Sequence, residues 1–322
     1  MAAAPPTAEI ANGLLHAKIF LPDLKDGFYR GTRFDWSGVI YSLEYKGHRY
    51  YGPWFDKTDP SVHDFVYRDG KIVAGPCSAT TGPADEFRPV GWEEAKPGGT
   101  FVKIGVGVLR RPDEAQYDNY RVYEIADPGR RSVRTSAHAV EFTQEVKDSR
   151  SGYAYLYSKV VNLWPPGKPE MVLEHRLRNT GARPIRTTVY NHNFLVMDGQ
   201  APGPGLIITV PFRFRTPRSP NPELAAVRGK QIVYLRTLKD REVVAMPLEG
   251  FSSSPADHEI RIENNNTGTG VRIRADRPLA SESLWSIRSV VAVEPFVAIS
   301  LNPGEEFTWT TTYTFTVDKS RP

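Results

Sequence analysis

Two side chains in this sequence are of the right kind, in the right surroundings, to exchange protons with a bound molecule. His192 stands between two asparagines in Asn191-His192-Asn193, late in a run from Arg186 that opens with β-branched and aromatic residues. The flanking amides can orient the ring, and imidazole titrates near neutral pH. A half-buried structural histidine beside the Asp198-Gly199 turn is the plainer use of the same residues. Glu294 interrupts an otherwise apolar run from Val290 to Ile299 and is followed at once by Pro295. A carboxylate there is costly unless it is paired or faces a cavity. Burial would raise its pKa and a nearby cation would lower it, the environment-tuned behaviour of an acid–base residue. A buried ion pair with an arginine is the structural alternative.

Other polar and aromatic residues could bind rather than react. The run Tyr29 to Trp36, with Arg30, Arg33, Phe34 and Asp35, can offer a sugar both a stacking face and a polar hand, or equally form an aromatic-capped salt bridge. Residues 52–100 are loop-rich and hold Trp54, His63, Glu86 and Arg88, and long irregular segments of β domains often carry binding residues. Lys103 joins the candidates from the strand-like run Phe101 to Leu109. Gly105-Val-Gly107 in that run lacks the third glycine and following helix of a dinucleotide fingerprint. His175 falls on the apolar face of Met171 to Leu177, so a core histidine is expected there.

The elements that must position these groups read as strands. The 26 glycines and 27 prolines are spread along the chain and punctuate short runs rich in Val, Ile, Tyr, Phe and Thr. Leu14–Phe20, Val39–Tyr45 and a meander of four runs from Arg121 to Leu163 fit this pattern, as do later runs around Ile232, Val244, Ile260 and Val271. The last strand has the clearest period. Phe307, Trp309, Thr311, Tyr313, Phe315 and Val317 share one face, with threonines on the other. One short helix is expected from Asn221 to Gly229, with Asn221 as N-cap and Pro222 in the first turn. The chain is therefore expected to be all-β, a large antiparallel sandwich with few short helices. Its length of 322 residues allows one large domain or two smaller ones; a single domain over residues 1–322 is expected, with a flexible N-terminus over 1–12.

Bulk properties narrow the partners. The net charge of +4 comes from scattered lysines and arginines with no nucleic-acid-reading motif beside them, so no nucleic acid is expected. Small clusters such as Arg213, Arg215 and Arg218 leave room for an anionic small molecule. No apolar run approaches the roughly 18–20 residues that cross a bilayer, so no membrane is expected. Cys77 is the sole cysteine, which rules out an intrachain disulfide and a cysteine-based metal site. The first residues lack the pattern of a signal peptide, and a cytoplasmic location is expected, with export after signal removal left open.

In order and spacing, several of these segments resemble the aldose 1-epimerase (galactose mutarotase-like) family. Thr188 to Gly199, with its Asn-His-Asn-Phe core, is similar to the segment that supplies the family's catalytic histidine. Val293-Glu294-Pro295, then Leu301-Asn-Pro-Gly-Glu305 and a terminal strand through Tyr313-Thr-Phe315, resembles the closing segment that carries the catalytic base. Asn264 to Leu284, with Thr267-Gly and Arg274-Ala-Asp276-Arg-Pro278, is similar to the preceding pair of strands. The resemblance covers roughly residues 170 to 317 and is looser before that.

It implies a β-supersandwich in which His192 and Glu294 face one another across a concave sheet, and an isomerase that interconverts sugar anomers. A carboxylate takes the proton of the anomeric hydroxyl while an imidazolium gives one to the ring oxygen. The hemiacetal opens, C1 rotates, and the ring recloses with the proton roles reversed. Each positioned acid or base typically supplies about 10²–10⁴-fold. An ionised Glu294 would raise the pKa of His192. The implied ligand is a hexose, acidic or phosphorylated forms included; no metal or organic cofactor is implied. The family's second histidine is missing: the matching loop, Ala79 to Arg88, has none, so Glu86 or His63 would have to substitute. The sugar-contacting arginine would be Arg88, Arg30 or Arg33, and the substrate-binding aspartate Asp257, with Tyr190, Asn191, Trp285 and Lys103 completing the binding set. The alternatives are a non-catalytic carbohydrate-binding sandwich and a polysaccharide-processing relative.

Overall fold

The computed structural model describes residues 4–318, and nearly all of the regular structure in them is antiparallel strand. Two curved sheets face each other. The larger has ten strands, in the order Arg130–Thr135, Ala139–Lys147, Ala154–Asn162, Glu170–Asn179, Glu306–Val317, Thr269–Ala275, Glu259–Asn264, Leu206–Thr209, Gln231–Tyr234 and Ala225–Arg228. Opposite it lies a five-stranded sheet, ordered Val244–Pro247, Ser281–Ile287, Val290–Leu301, Ile185–His192 and Ala84–Phe87. Single bridges from Leu195 to Tyr51 and to Val291 join this sheet to an N-terminal meander of four strands.

Alternation decides which side chains fill the space between the sheets. The terminal strand sends Trp309, Thr311, Tyr313 and Phe315 inward, all buried, as its period requires. Val291, Val293, Val297, Ile299 and Leu301 do the same from the facing sheet. Burying such side chains is worth about 1.5–3 kcal/mol each, which holds the layers together.

The core also contains charge. Asp85 lies 2.5 Å from the Lys159 ammonium and 3.1 Å from His175 Nε2, all three fully enclosed, and its other oxygen accepts from the Asn191 amide at 2.5 Å. Burial works to raise the Asp85 carboxyl, but Lys159 and His175 outweigh it and hold it below the ordinary aspartate range. His175 is thus a core histidine, stacked 4.5 Å from Trp309, as its place on an apolar strand face implies.

Three local expectations are corrected. Asn221 to Gly229 is not a helix. Asn221 caps a turn through its side chain to Glu223 N, and Ala225–Arg228 then pairs with Gln231–Tyr234 as a hairpin whose turn holds Gly229 at φ +67°. Pairing at the sheet edge satisfies more backbone groups than two isolated helical turns could. Phe101 to Leu109 is two strands, Thr100–Lys103 and Gly107–Arg110, folded back at Gly105. Of the N-terminal twelve residues, Thr7–Ala11 form a strand paired to Leu15–Phe20, while residues 1–3 lie outside those described.

One buried carboxyl is not paired at all. Glu282 is 2% exposed, and neither of its oxygens has a hydrogen-bond partner. Burial, helped by Asp257, pushes its pKa up to about 8. A folded-state pKa above the unfolded value means that the folded chain holds the extra proton, so stability is full below the ordinary range near 4.5 and is lost as pH rises through about 8. Glu282→Gln is therefore expected to raise the melting temperature more at pH 9 than at pH 5; equal effects at both would show that the carboxyl is not a buried titrating group.

Candidate active site

The register of the five-stranded sheet brings the chemistry together. Tyr190 pairs with Phe296, and two residues further along the same register His192 comes opposite Glu294. On its other side Glu294 pairs with Ser283, through a hairpin that turns at Arg288-Ser289. One cross-strand row therefore reads Ser283, Glu294, His192; the next reads Phe296, Tyr190, Glu86. A slip of one residue would send Glu294 into the core instead.

His192 Nε2 lies 3.0 Å from Glu294 Oε1, and the Ser283 hydroxyl donates to Glu294 Oε2 at 2.8 Å. The imidazole is fixed by rings: Phe194 stacks on it at 3.7 Å, while Trp285 and Phe34 meet it edge-on at 5.4 and 5.8 Å. Both groups open onto a cavity of about 360 Å³, a volume suited to one small molecule. Its wall is aromatic, from Trp54, Phe65, Tyr120 and Trp285, with Arg33, Asp64 and Arg218 as the charged groups.

The electrostatics differ from the expectation of an imidazolium beside a carboxylate. Burial, reinforced by Arg33, holds His192 well below the ordinary histidine value, and burial pushes Glu294 up to about 7. In a water-poor site each charged form is disfavoured, and the direct contact lets both groups stay neutral by holding one proton between them. Below about pH 7 the pair thus has one donor and one acceptor, whichever atom carries the proton. A group of this kind can protonate one oxygen of a ligand while deprotonating its neighbour.

Arg33 forms the adjoining wall. Its Nε donates to Glu86 Oε2 at 2.6 Å and its Nη2 to the Tyr190 hydroxyl at 3.1 Å, while Tyr190 itself donates to Glu86 at 2.5 Å. Lys103 lies behind, 3.7 Å from the other Glu86 oxygen and fully buried, its pKa brought down by burial to about 8. Burial works to raise Glu86, but Arg33 and Lys103 prevail and keep it ionised.

Of the residues singled out in the sequence, the structure brings His192, Glu294, Arg33, Trp54 and Trp285 to this cavity. Glu86 and Tyr190 border it through Arg33, and with Arg88 they line a neighbouring cavity. The others are elsewhere. Asn191 faces the opposite side of the sheet, bound to Asp85, because adjacent residues of a strand alternate. Lys103 is sealed behind Glu86. Arg30 is exposed and bonds the Lys25 carbonyl, and Asp257 accepts from Ser252 N in a short 3₁₀ turn. His63 pairs with Asp118 at the surface, leaving its neighbour Asp64 to line the cavity.

Sequence reading missed Ser283, Asp64 and Tyr120, and had Arg218 only as part of a basic cluster open to an anionic small molecule. Ser283 comes opposite Glu294 through the hairpin that turns at Arg288-Ser289, a dipeptide that signals a turn only weakly. The other three sit on irregular segments that no local pattern positions. Among the described residues no group of three or more His, Cys, Asp or Glu could hold a metal ion, and no helix is long and apolar enough to cross a membrane.

No family model matches the sequence, and no curated protein matches it at a significant level. Solved structures do match, over nearly the whole chain. The Slr1438 protein from Synechocystis superposes with a TM-score of 0.58 at 12% identity, covering 98% of both chains. A GalM/aldose epimerase homologue from C. elegans gives 0.56 at 14% identity, covering 98% of this chain and 100% of its own. A putative aldose 1-epimerase from Escherichia coli gives 0.54 at 13%, covering 97% and 99%. At such low identity the likeness speaks to architecture, and the chain has the galactose mutarotase-like fold.

Proposed function

We propose that the protein interconverts the anomers of a reducing sugar, with His192 and Glu294 as the acid–base pair. The observation that carries this reading is the 3.0 Å contact between the two groups at the floor of an aromatic-walled cavity. The anomeric hydroxyl and the ring oxygen are bonded to the same carbon, so a donor and an acceptor for them must be close neighbours. In the bound sugar one member of the pair takes the hydroxyl proton while the other protonates the ring oxygen, which breaks the C1–O5 bond and gives the aldehyde. Rotation about C1–C2 and the reverse transfers close the ring on its other face, and the pair ends with the one proton with which it began. Ser283 holds Glu294 in place, and Phe194 with Trp285 fixes the imidazole so that its Nε2 meets Glu294. Carbohydrate binding rests on the aromatic wall and on Arg33, Asp64 and Arg218.

One feature favours a second reading, a sugar-binding sandwich without turnover. Glu86, the group left to replace the absent second histidine, is locked to Arg33 and Tyr190 and is not free to move a proton. Anomer exchange followed by NMR over a panel of neutral, acidic and phosphorylated aldoses separates the two. Accelerated exchange of at least one sugar is expected; binding of a sugar with no acceleration would establish the second reading.

A further inference from the structure

A second cavity opens on the same sheet face as the first, with a volume of about 760 Å³. Its floor is the neighbouring cross-strand row, where Phe296 stacks on Tyr190 at 4.3 Å and Tyr190 donates to Glu86. Two residues of strand advance about 6.8 Å, so the two rows are adjacent on one face of the sheet. The two cavities are neighbours on this face, with the Arg33–Glu86–Tyr190 group between them. The segment from Ala115 to Tyr120 borders both: Tyr120 caps Arg33 at 4.9 Å on the first, while Ala115, Tyr117 and Asn119 face the second.

The second cavity has the composition of a carbohydrate site in its own right. It offers ring faces from Tyr117, Tyr190 and Phe296, and hydrogen-bonding ends from Arg88, Asn119 and Arg186. Among the described residues neither Arg88 nor Arg186 is in a salt bridge, and Arg186 donates to the Ser300 hydroxyl. Buried donors without partners gather at its edge. Trp92 is 3% exposed with an unbonded Nε1, and the Tyr117 hydroxyl is buried and unbonded. Such groups cost free energy unless something polar meets them.

We infer that this cavity is a subsite for a second sugar unit, so that the substrate is a reducing disaccharide or longer glycan whose reducing end occupies the His192–Glu294 cavity. The inference deepens the mutarotase reading and rests on it for the reaction, though not for binding. A single ring leaves the Tyr190–Phe296 platform and the second set of donors unused, whereas a glycosidically linked neighbour covers them.

The test compares glucose and galactose with their 1→3-, 1→4- and 1→6-linked reducing disaccharides, uronate-containing ones among them. Exchange is measured by NMR in the wild type and in Ala115→Trp, which fills the second cavity from an exposed loop position. Binding to both proteins is measured alongside by calorimetry. At least one disaccharide is expected to exceed its monosaccharide about tenfold in kcat/KM, an advantage that Ala115→Trp removes while leaving the monosaccharide rate unchanged. A disaccharide that binds better than its monosaccharide in the wild type only, with no exchange of either, supports the subsite and overturns the reaction alone. Equal handling of mono- and disaccharides, a disaccharide advantage that survives Ala115→Trp, or failure of the whole panel to bind overturns the subsite.

Discussion

Glu294→Gln is expected to lower anomer exchange by about 10²–10⁴-fold while leaving the fold and sugar affinity nearly intact. The amide keeps the shape of the carboxyl and can still accept from Ser283. What it loses is the capacity to take or give a proton, which the reaction needs twice. His192→Ala is expected to cost a similar factor, and the double variant little more than either single one, because the two act as a unit. Additive losses in the double variant would mean two independent contributors rather than one proton-sharing pair. Circular dichroism and thermal melts on the same samples separate lost chemistry from lost structure.

Lys159→Met is expected to be the most damaging substitution away from the cavity. It leaves Asp85 in the core with only His175 and the Asn191 amide as partners, and Asp35 nearby as a further buried acid, itself raised by burial. Removing one member of a buried ion pair typically costs about 3–5 kcal/mol. In the wild type Asp85 has a depressed pKa, so its contribution is present above the ordinary value near 3.8 and is lost as pH falls below it. Denaturant unfolding at pH 7 checks the loss, and Asp85→Asn added to Lys159→Met is expected to restore part of it. If Lys159→Met unfolds like the wild type, the network contributes nothing to stability. Because Asn191 binds Asp85 and adjoins His192, partial loosening here is also expected to weaken the site.

This coupling explains how far the site could be read from the chain. His192 and Glu294 stood out because each breaks its local pattern: a titratable ring among amides, and a carboxylate in an apolar run. Their neighbours followed only where strand geometry carries the information. Alternation alone assigns Asn191 to the face opposite His192, yet its closeness in sequence suggested a binding role. Ser283 needed the hairpin register, which a turn without Asn-Gly or Gly-Gly signals weakly. Tyr120, Asp64 and Arg218 are brought in by segments whose course is set by tertiary contacts, so nothing near them in sequence predicts the meeting. The large sheets were legible for the opposite reason. Twelve residues of strict alternation in Glu306–Val317 leave a strand little freedom over which face it buries. Asn221 to Gly229 shows the limit, since its capping residues are sound locally and the hairpin overrides them.

Proton inventory was the part least visible in the sequence. A glutamate beside a histidine suggests an ion pair, but enclosure by Phe34, Phe194 and Trp285 disfavours both charges, and Arg33 disfavours imidazolium further. Arg33 in turn is fixed by Glu86, Tyr190 and the Tyr120 ring. The site thus depends on a second row of residues set back from the His192–Glu294 pair.

The pH dependence of kcat/KM for the best-exchanging sugar tests the shared proton most directly. A bell is expected whose alkaline limb falls with an apparent pKa of about 7, as the pair loses its proton, and whose acid limb lies well below the ordinary histidine value. In Glu294→Gln the alkaline limb should vanish along with most of the rate. A wild-type rate that stays flat from pH 6 to 9, or a Glu294→Gln variant that keeps both rate and profile, would contradict it.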